Sequence, residues 1–119
     1  MNRLTHKEEE IMQILWKLKK GFVKDILNEL SEPKPPYNTV SSIVRKLENM
    51  GYVGHEAFGK THRYYPILQK ENYRKVSFQV FMRNYFGGSP QQLLSYFVKE
   101  EKLSPSEIDH LLSELKEQS

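Results

Sequence analysis

Residues 37–67 read YNTVSSIVRKLENMGYVGHEAFGKTHRYYPI, and two periodicities meet at Gly51. Ahead of it, at roughly 100° per residue, Val40, Ile43, Val44 and Leu47 share one narrow face. Asn38, Ser42, Arg45 and Asn49 fall on the opposite face, with Ser41 and Lys46 at its flanks. The spacing predicts a helix from Asn38 to Met50 that ends at Gly51. Beyond it, Tyr52 to Phe58 and His62 to Ile67 are rich in aromatic and β-branched residues, and Gly59-Lys60-Thr61 separates them. That pattern predicts a hairpin with a cationic tip.

The outer row of the helix carries amides, hydroxyls and a guanidinium. These groups hydrogen-bond to base edges and phosphate oxygens, and Asn and Arg make paired contacts with adenine and guanine. A solvated helix face ordinarily carries more acid; here only Glu48 interrupts it. The candidate DNA-binding residues are therefore Asn38, Thr39, Ser41, Ser42, Arg45 and Lys46 on the helix. Lys60, Thr61 and Arg63 join them from the hairpin, placed to anchor a phosphate backbone. Thr39 fits a helix cap or a phosphate contact equally well. His55 and His62 invite a metal hypothesis, but the expected register sets them opposite Tyr64 and Ala57. The imidazoles are then not expected to converge, and with no third ligand nearby no metal site is expected.

Upstream, Thr5 and Glu8 form a capping box, Ile11, Ile14, Leu15 and Leu18 repeat at helical spacing, and Gly21 is expected to end a first helix running from Thr5 to Lys20. Trp16 borders its apolar stripe as a core cover. A short link, Phe22-Val23, precedes a second helix marked by Ile26, Leu27 and Leu30. Glu-Pro-Lys-Pro-Pro (32–36) then forbids helix continuation. Three helices followed by a hairpin make a mainly α fold with a small β-hairpin, a winged helix-turn-helix over residues 1–70.

After Lys70 the pattern changes. Tyr73, Val76, Phe78, Val80, Phe81, Met82, Tyr85 and Phe86 make a helix apolar around much of its circumference, which must be covered on more than one side. Gly87-Gly88 breaks it. Ser89-Pro90 and Ser104-Pro105 open two further helices carrying Leu93, Leu94, Phe97 and Val98, then Ile108, Leu111, Leu112 and Leu115. About fifty residues with this much apolar surface are too few for a core of their own. The expectation is a helical homodimerisation region over 71–119, with Phe78, Phe81, Met82, Tyr85, Leu93, Leu94, Phe97, Ile108, Leu111, Leu112 and Leu115 at the contact. The alternative is packing back onto the first half.

Composition narrows the classes. The chain has 119 residues, a net charge of +3 and no cysteine, so disulfide and thiolate-metal chemistry are absent. Between Pro33 and Lys70, six Lys or Arg stand against two acids (Glu48 and Glu56), while the flanking segments are nearly neutral. The excess cation thus lies on the proposed reading element. No glycine-rich phosphate loop and no histidine set beside a nucleophile suggest an enzyme, and no cofactor is expected. No signal core or membrane-length apolar run is present, so a cytoplasmic protein without direct membrane binding is expected. A winged helix serving as a protein-interaction module is the alternative function.

These residues together resemble the penicillinase-repressor family of bacterial transcriptional regulators (the BlaI/MecI/CopY group) over nearly the whole chain. The resemblance is carried by Trp16, by Thr39-Val40-x-x-Ile43-Val44-x-x-Leu47 and by Gly59-Lys60-x-x-x-Tyr64-x-Pro66. The tail from Phe86-Gly87-Gly88-Ser89-Pro90 through Leu93-Leu94, Phe97, Leu103-Ser104 and Glu107-Ile108 to Leu111 is its most specific part. The resemblance implies a homodimeric winged-helix repressor on a palindromic double-stranded DNA operator. In antibiotic-responsive members a membrane sensor protease system triggers cleavage at an Asn-Phe bond, which aligns with Tyr96-Phe97. This chain departs from that pattern by carrying Tyr96. Copper-responsive members sense metal through C-terminal cysteines, which this chain lacks.

Overall fold

A computed structural model describes residues 4–118. Helix α1 (His6–Leu18) is capped by the Thr5–Glu8 box: the Glu8 N–H donates to Thr5 Oγ1 at 3.2 Å and the Thr5 N–H donates back to Glu8 Oε1 at 2.9 Å. The helix ends at Lys19, which adopts φ +71° while its N–H donates to the Leu15 carbonyl. The expected glycine stop is therefore corrected: Gly21 and Phe22 form a short strand, β1 (Gly21–Phe22), and only Val23 starts α2 (Val23–Glu29). A two-residue strand has no periodicity to read, and its existence depends on a partner distant in the chain.

Helix α3 (Tyr37–Asn49) begins at Pro36, whose carbonyl accepts from the N–H groups of Thr39 and Val40. Thr39 is thus inside the first turn and is not the cap. Val40, Val44 and Leu47 are fully buried, each worth about 1.5–3 kcal/mol of apolar transfer, so the narrow stripe fixes which face α3 turns outward. Strands β2 (Val53–Phe58) and β3 (Thr61–Pro66) form the hairpin, closed by Gly59-Lys60 with positive φ at Gly59. The sheet order is β1-β3-β2, antiparallel throughout, with Gly21 opposite Tyr64 and Phe22 opposite Arg63 on one side and Glu56 opposite Arg63 on the other.

One core gathers Ile11, Met12 and Leu15 of α1, Ile26 of α2, the α3 stripe, Val53 and Tyr64 of the sheet, and Tyr73. Trp16 packs against that cluster, as a core cover should. Tyr73 belongs to α4 (Lys70–Phe86). The chain divides into two compact units, Met1–Val76 and Ser77–Ser119, and the dividing point falls inside α4.

In the second unit α4 stops where Gly87 and Gly88 adopt positive φ and the Gly88 N–H donates to the Met82 carbonyl. Helix α5 (Pro90–Glu100) is capped by Ser89, which accepts from the Gln92 N–H. Helix α6 (Pro105–Gln118) is capped by Ser104, which accepts from the Glu107 N–H. Met82 is buried and Leu93 and Ile108 are partly covered, whereas Phe78, Phe81, Tyr85, Leu94, Phe97, Leu111, Leu112 and Leu115 are exposed.

Candidate nucleic-acid interface

Because the stripe of α3 is buried, its opposite face is presented to solvent: Asn38, Ser42, Arg45 and Asn49 are all exposed, as is Thr39. Ser41 is half-buried at the margin. Arg45 makes only long contacts, 3.4 Å each, to the Ser41 carbonyl and Ser42 Oγ. Its guanidinium is held near the helix surface by bonds weak enough to exchange for a ligand.

A groove of about 620 Å³ runs between this face and the hairpin, lined by Tyr37, Ser41 and Arg45 on one wall and by Lys60, Thr61 and His62 on the other. Lys24, Asp25 and Phe22 close its end. Tyr37, Lys24 and His62 were not anticipated from sequence. Tyr37 stands at the first position of α3 and is half exposed, so an aromatic opening a reading helix could have flagged it. Lys24 reaches the groove only because of how α2 packs. Lys60 stands at the turn beside Gly59, and no ion pair to it occurs among the described residues.

Two of the expected contact cations form ion pairs within the protein, and Thr61 Oγ1 donates to the Phe58 carbonyl at 2.9 Å. The Lys46 ammonium lies 2.7 Å from Glu8 Oε2. Arg63 Nη2 donates to Glu56 Oε1 at 3.2 Å, with its guanidinium carbon 4.8 Å from the centre of the Phe58 ring. Glu56 also accepts from Lys20 at 3.0 Å, and these two cations hold its carboxyl below the usual range. Arg63 Nε is buried without a hydrogen-bond partner, a desolvation cost set against the Glu56 pair and the Phe58 ring contact. Arg63 therefore braces β3 against β2.

One part of the histidine expectation, the separation of the two rings, is corrected. The register is as expected, with His55 opposite Tyr64 and Ala57 opposite His62, but the rings of His55 and His62 stack with centroids 4.0 Å apart and planes 8° from parallel. Diagonal neighbours on one face of a twisted antiparallel pair are within reach of ring side chains. His55 Nδ1 also contacts Glu48 Oε2 of α3, tying the wing to the helix. No group of three metal-ligating side chains occurs among the described residues.

The match to a family model decides the class: residues 4–117 fit the penicillinase repressor model. The chain belongs to the penicillinase repressor family. It is 23% identical to the penicillinase repressor of Bacillus licheniformis over 116 residues, covering 97% of this chain and 91% of that one. It is 24% identical to the methicillin resistance regulatory protein MecI of Staphylococcus aureus (strain N315) over 109 residues, covering 91% and 89%. Family members are transcriptional repressors rather than enzymes, and this member of the penicillinase repressor family is a DNA-binding transcriptional regulator. The fold is similar to that of Bordetella bronchiseptica BpsR, solved in work on regulation of its DNA binding by 6-hydroxynicotinic acid. The TM-score is 0.51 at 14% identity, covering 98% of this chain and 76% of that one.

Proposed function

We propose that this repressor acts as a homodimer on a palindromic operator, with α3 of each copy in successive major grooves about 34 Å apart. The observation that carries the reading is the groove lined by Tyr37, Ser41 and Arg45 of α3 and by the Lys60-Thr61 wing tip, beside the exposed Asn38 and Ser42. Asn38, Ser42 and Arg45 read base edges, with Ser41 and Thr39 at the margin. Lys60 and Thr61 hold the flanking backbone. Residues 1–70 do this work, with the first turn of α4 packed on them, and residues 71–119 assemble the dimer. The exposed Phe78, Phe81, Leu94, Phe97, Leu111 and Leu112 support that assignment, since a second copy is the natural cover for so much apolar surface.

Such a repressor acts in the cytoplasm, and no helix among the described residues is long and apolar enough to cross a membrane. Release by a membrane sensor protease system is assigned to the Tyr96–Phe97 bond of α5. Both side chains are exposed there, and Tyr96 packs edge-on against Phe86 and Phe97 at 5.7 and 6.0 Å. Tyr in place of Asn requires a protease of altered specificity, and cutting requires α5 to open locally. Mass spectrometry of the repressor from cells exposed to a β-lactam tests this step. A fragment ending at Tyr96 is expected, and a chain left intact while repression is lifted overturns it.

The test of DNA reading is selection of duplexes from a randomised pool, followed by titration over a range of salt. A palindromic consensus is expected, with log K falling against log[salt] at about 0.9 per neutralised phosphate. Recovery of no consensus, or a salt-independent affinity, rejects the reading. Light scattering of the free protein at twice the monomer mass is the companion result.

A further inference from the structure

Glu8 is the one buried charged side chain among the described residues, at 4% exposure. Its two carboxylate oxygens have separate tasks. Oε1 accepts the Thr5 N–H and closes the α1 cap, while Oε2 holds the Lys46 ammonium at 2.7 Å. Lys46 lies in the last turn of α3, between the buried stripe and the outward row. Val40, Val44 and Leu47 seat α3 and set which face is outward, but apolar burial is non-directional and resists small rotations within that seat weakly. An ion pair at the stripe's edge is directional and marks one rotation. Its desolvated partner also makes alternatives costly, because a rotated helix leaves the Glu8 carboxylate buried and unpaired.

We infer that Glu8 is a positioning residue for operator reading: by clasping Lys46 it withdraws that cation from the phosphates and locks the rotation of α3 that presents Asn38, Ser42 and Arg45. The inference rests on the proposed DNA reading and adds the residue that aims it. Lys46, a lysine on a recognition helix, is then no phosphate ligand. The carboxyl of Glu8 is held below its ordinary range, first by Lys46 and next by the Thr5 N–H, as expected for a carboxylate kept ionised in the clasp.

The experiment uses the full chain and two probes: the duplex that the wild-type protein selects from a randomised pool, and a random-sequence duplex. Lys46→Met keeps the stem and removes the ammonium. Glu8→Gln keeps an oxygen for the Thr5 N–H and removes the charge. Lys46→Met should leave the salt slope unchanged, whereas Lys60→Ala should lower it by about 0.9, the value of one phosphate contact. The ratio of selected to random affinity should fall about tenfold in either single variant, the size of one displaced base contact, and no further in the double variant. Lys46→Arg, able to pair with Glu8, should retain the ratio.

A slope reduced by about one in Lys46→Met would show the ammonium on a phosphate and overturn the inference. So would additive losses in the double variant, or an unchanged ratio in both singles. If Glu8→Gln fails to fold, Lys46→Met and Lys46→Arg carry the same decision. Failure of the underlying reading looks different: the wild-type protein then selects no duplex, or Arg45→Ala leaves selectivity intact.

Discussion

Trp16 Nε1 donates a 2.8 Å hydrogen bond to the Leu68 carbonyl oxygen, joining α1 to the chain segment that leaves the wing. The indole also lies 5.8 Å from the Tyr73 ring, and the Tyr73 hydroxyl donates to Glu9 Oε2 at 3.0 Å. One tryptophan thus fastens the exit of β3 and the first turn of α4 to the first helix. Trp16→Phe keeps most of the apolar contact but strands the Leu68 carbonyl, and should destabilise the protein by about 1–2 kcal/mol. Denaturant melts read this directly; an unchanged midpoint would show that the bond contributes nothing.

Arg45 is the outward residue best able to make a paired base contact, and among the described residues its hydrogen bonds are two of 3.4 Å within its own helix. Arg45→Ala should weaken binding to the selected duplex by about 1–3 kcal/mol and relax selectivity at one base pair, with little effect on a random duplex. Gel-shift titrations on both duplexes check it. Equal losses on the two would assign Arg45 to the backbone.

Lys60 and Arg63 sit near each other on the wing but should behave oppositely. Lys60→Ala should reduce the salt slope by about 0.9 and leave the melting temperature nearly unchanged. Arg63→Ala should lower the melting temperature, because Glu56 and Phe58 lose a partner, and should leave the slope close to wild type. Titrations over salt paired with thermal melts distinguish the two, and a large slope change in Arg63→Ala would return it to the phosphate-binding set.

Phe81 is 43% exposed and Leu112 46%, so a charge at either should cost the monomer little while disrupting an apolar contact between copies. Phe81→Glu and Leu112→Glu should shift the protein to monomers in sedimentation equilibrium. Affinity for a two-half-site duplex should then drop while single half-site binding persists. Dimers that survive both substitutions would move the interface elsewhere.

Glu10 supplies a pH-dependent contribution. The Ser31 N–H and hydroxyl, with Lys7 behind them, hold its carboxyl at about 2. A folded-state value below the unfolded one stabilises above the unfolded carboxylate range, and that stabilisation is lost as pH falls toward about 2. After allowance for solvent screening, Glu10→Gln should cost about 1 kcal/mol at neutral pH. The gap between the two proteins should close as acid is added. A gap independent of pH would assign the loss to shape instead of charge.

The pattern of failures against sequence expectation is physical. Capping boxes, the α3 stripe, the Gly59 turn and the Gly87-Gly88 stop are local: each depends on residues within about one turn, so spacing suffices to find them. What was misplaced depends on distant partners. Lys19, not a glycine, ends α1, because Gly21 is taken into pairing with Tyr64. His55 and His62 stack because the diagonal of the hairpin, rather than the direct register, brings their rings together.

By itself, the order of residues determined which face of α3 looks outward and that a basic-tipped hairpin follows it, since burial of an apolar stripe and a glycine turn are decided over a few residues. Only the tertiary structure decided which cation of α3 has a carboxylate partner. Lys46 looks as free as Lys60 in the sequence, but Glu8 reaches it across the fold. A charged head group on a flexible stem takes the nearest opposite charge in space, and chain spacing does not encode that distance.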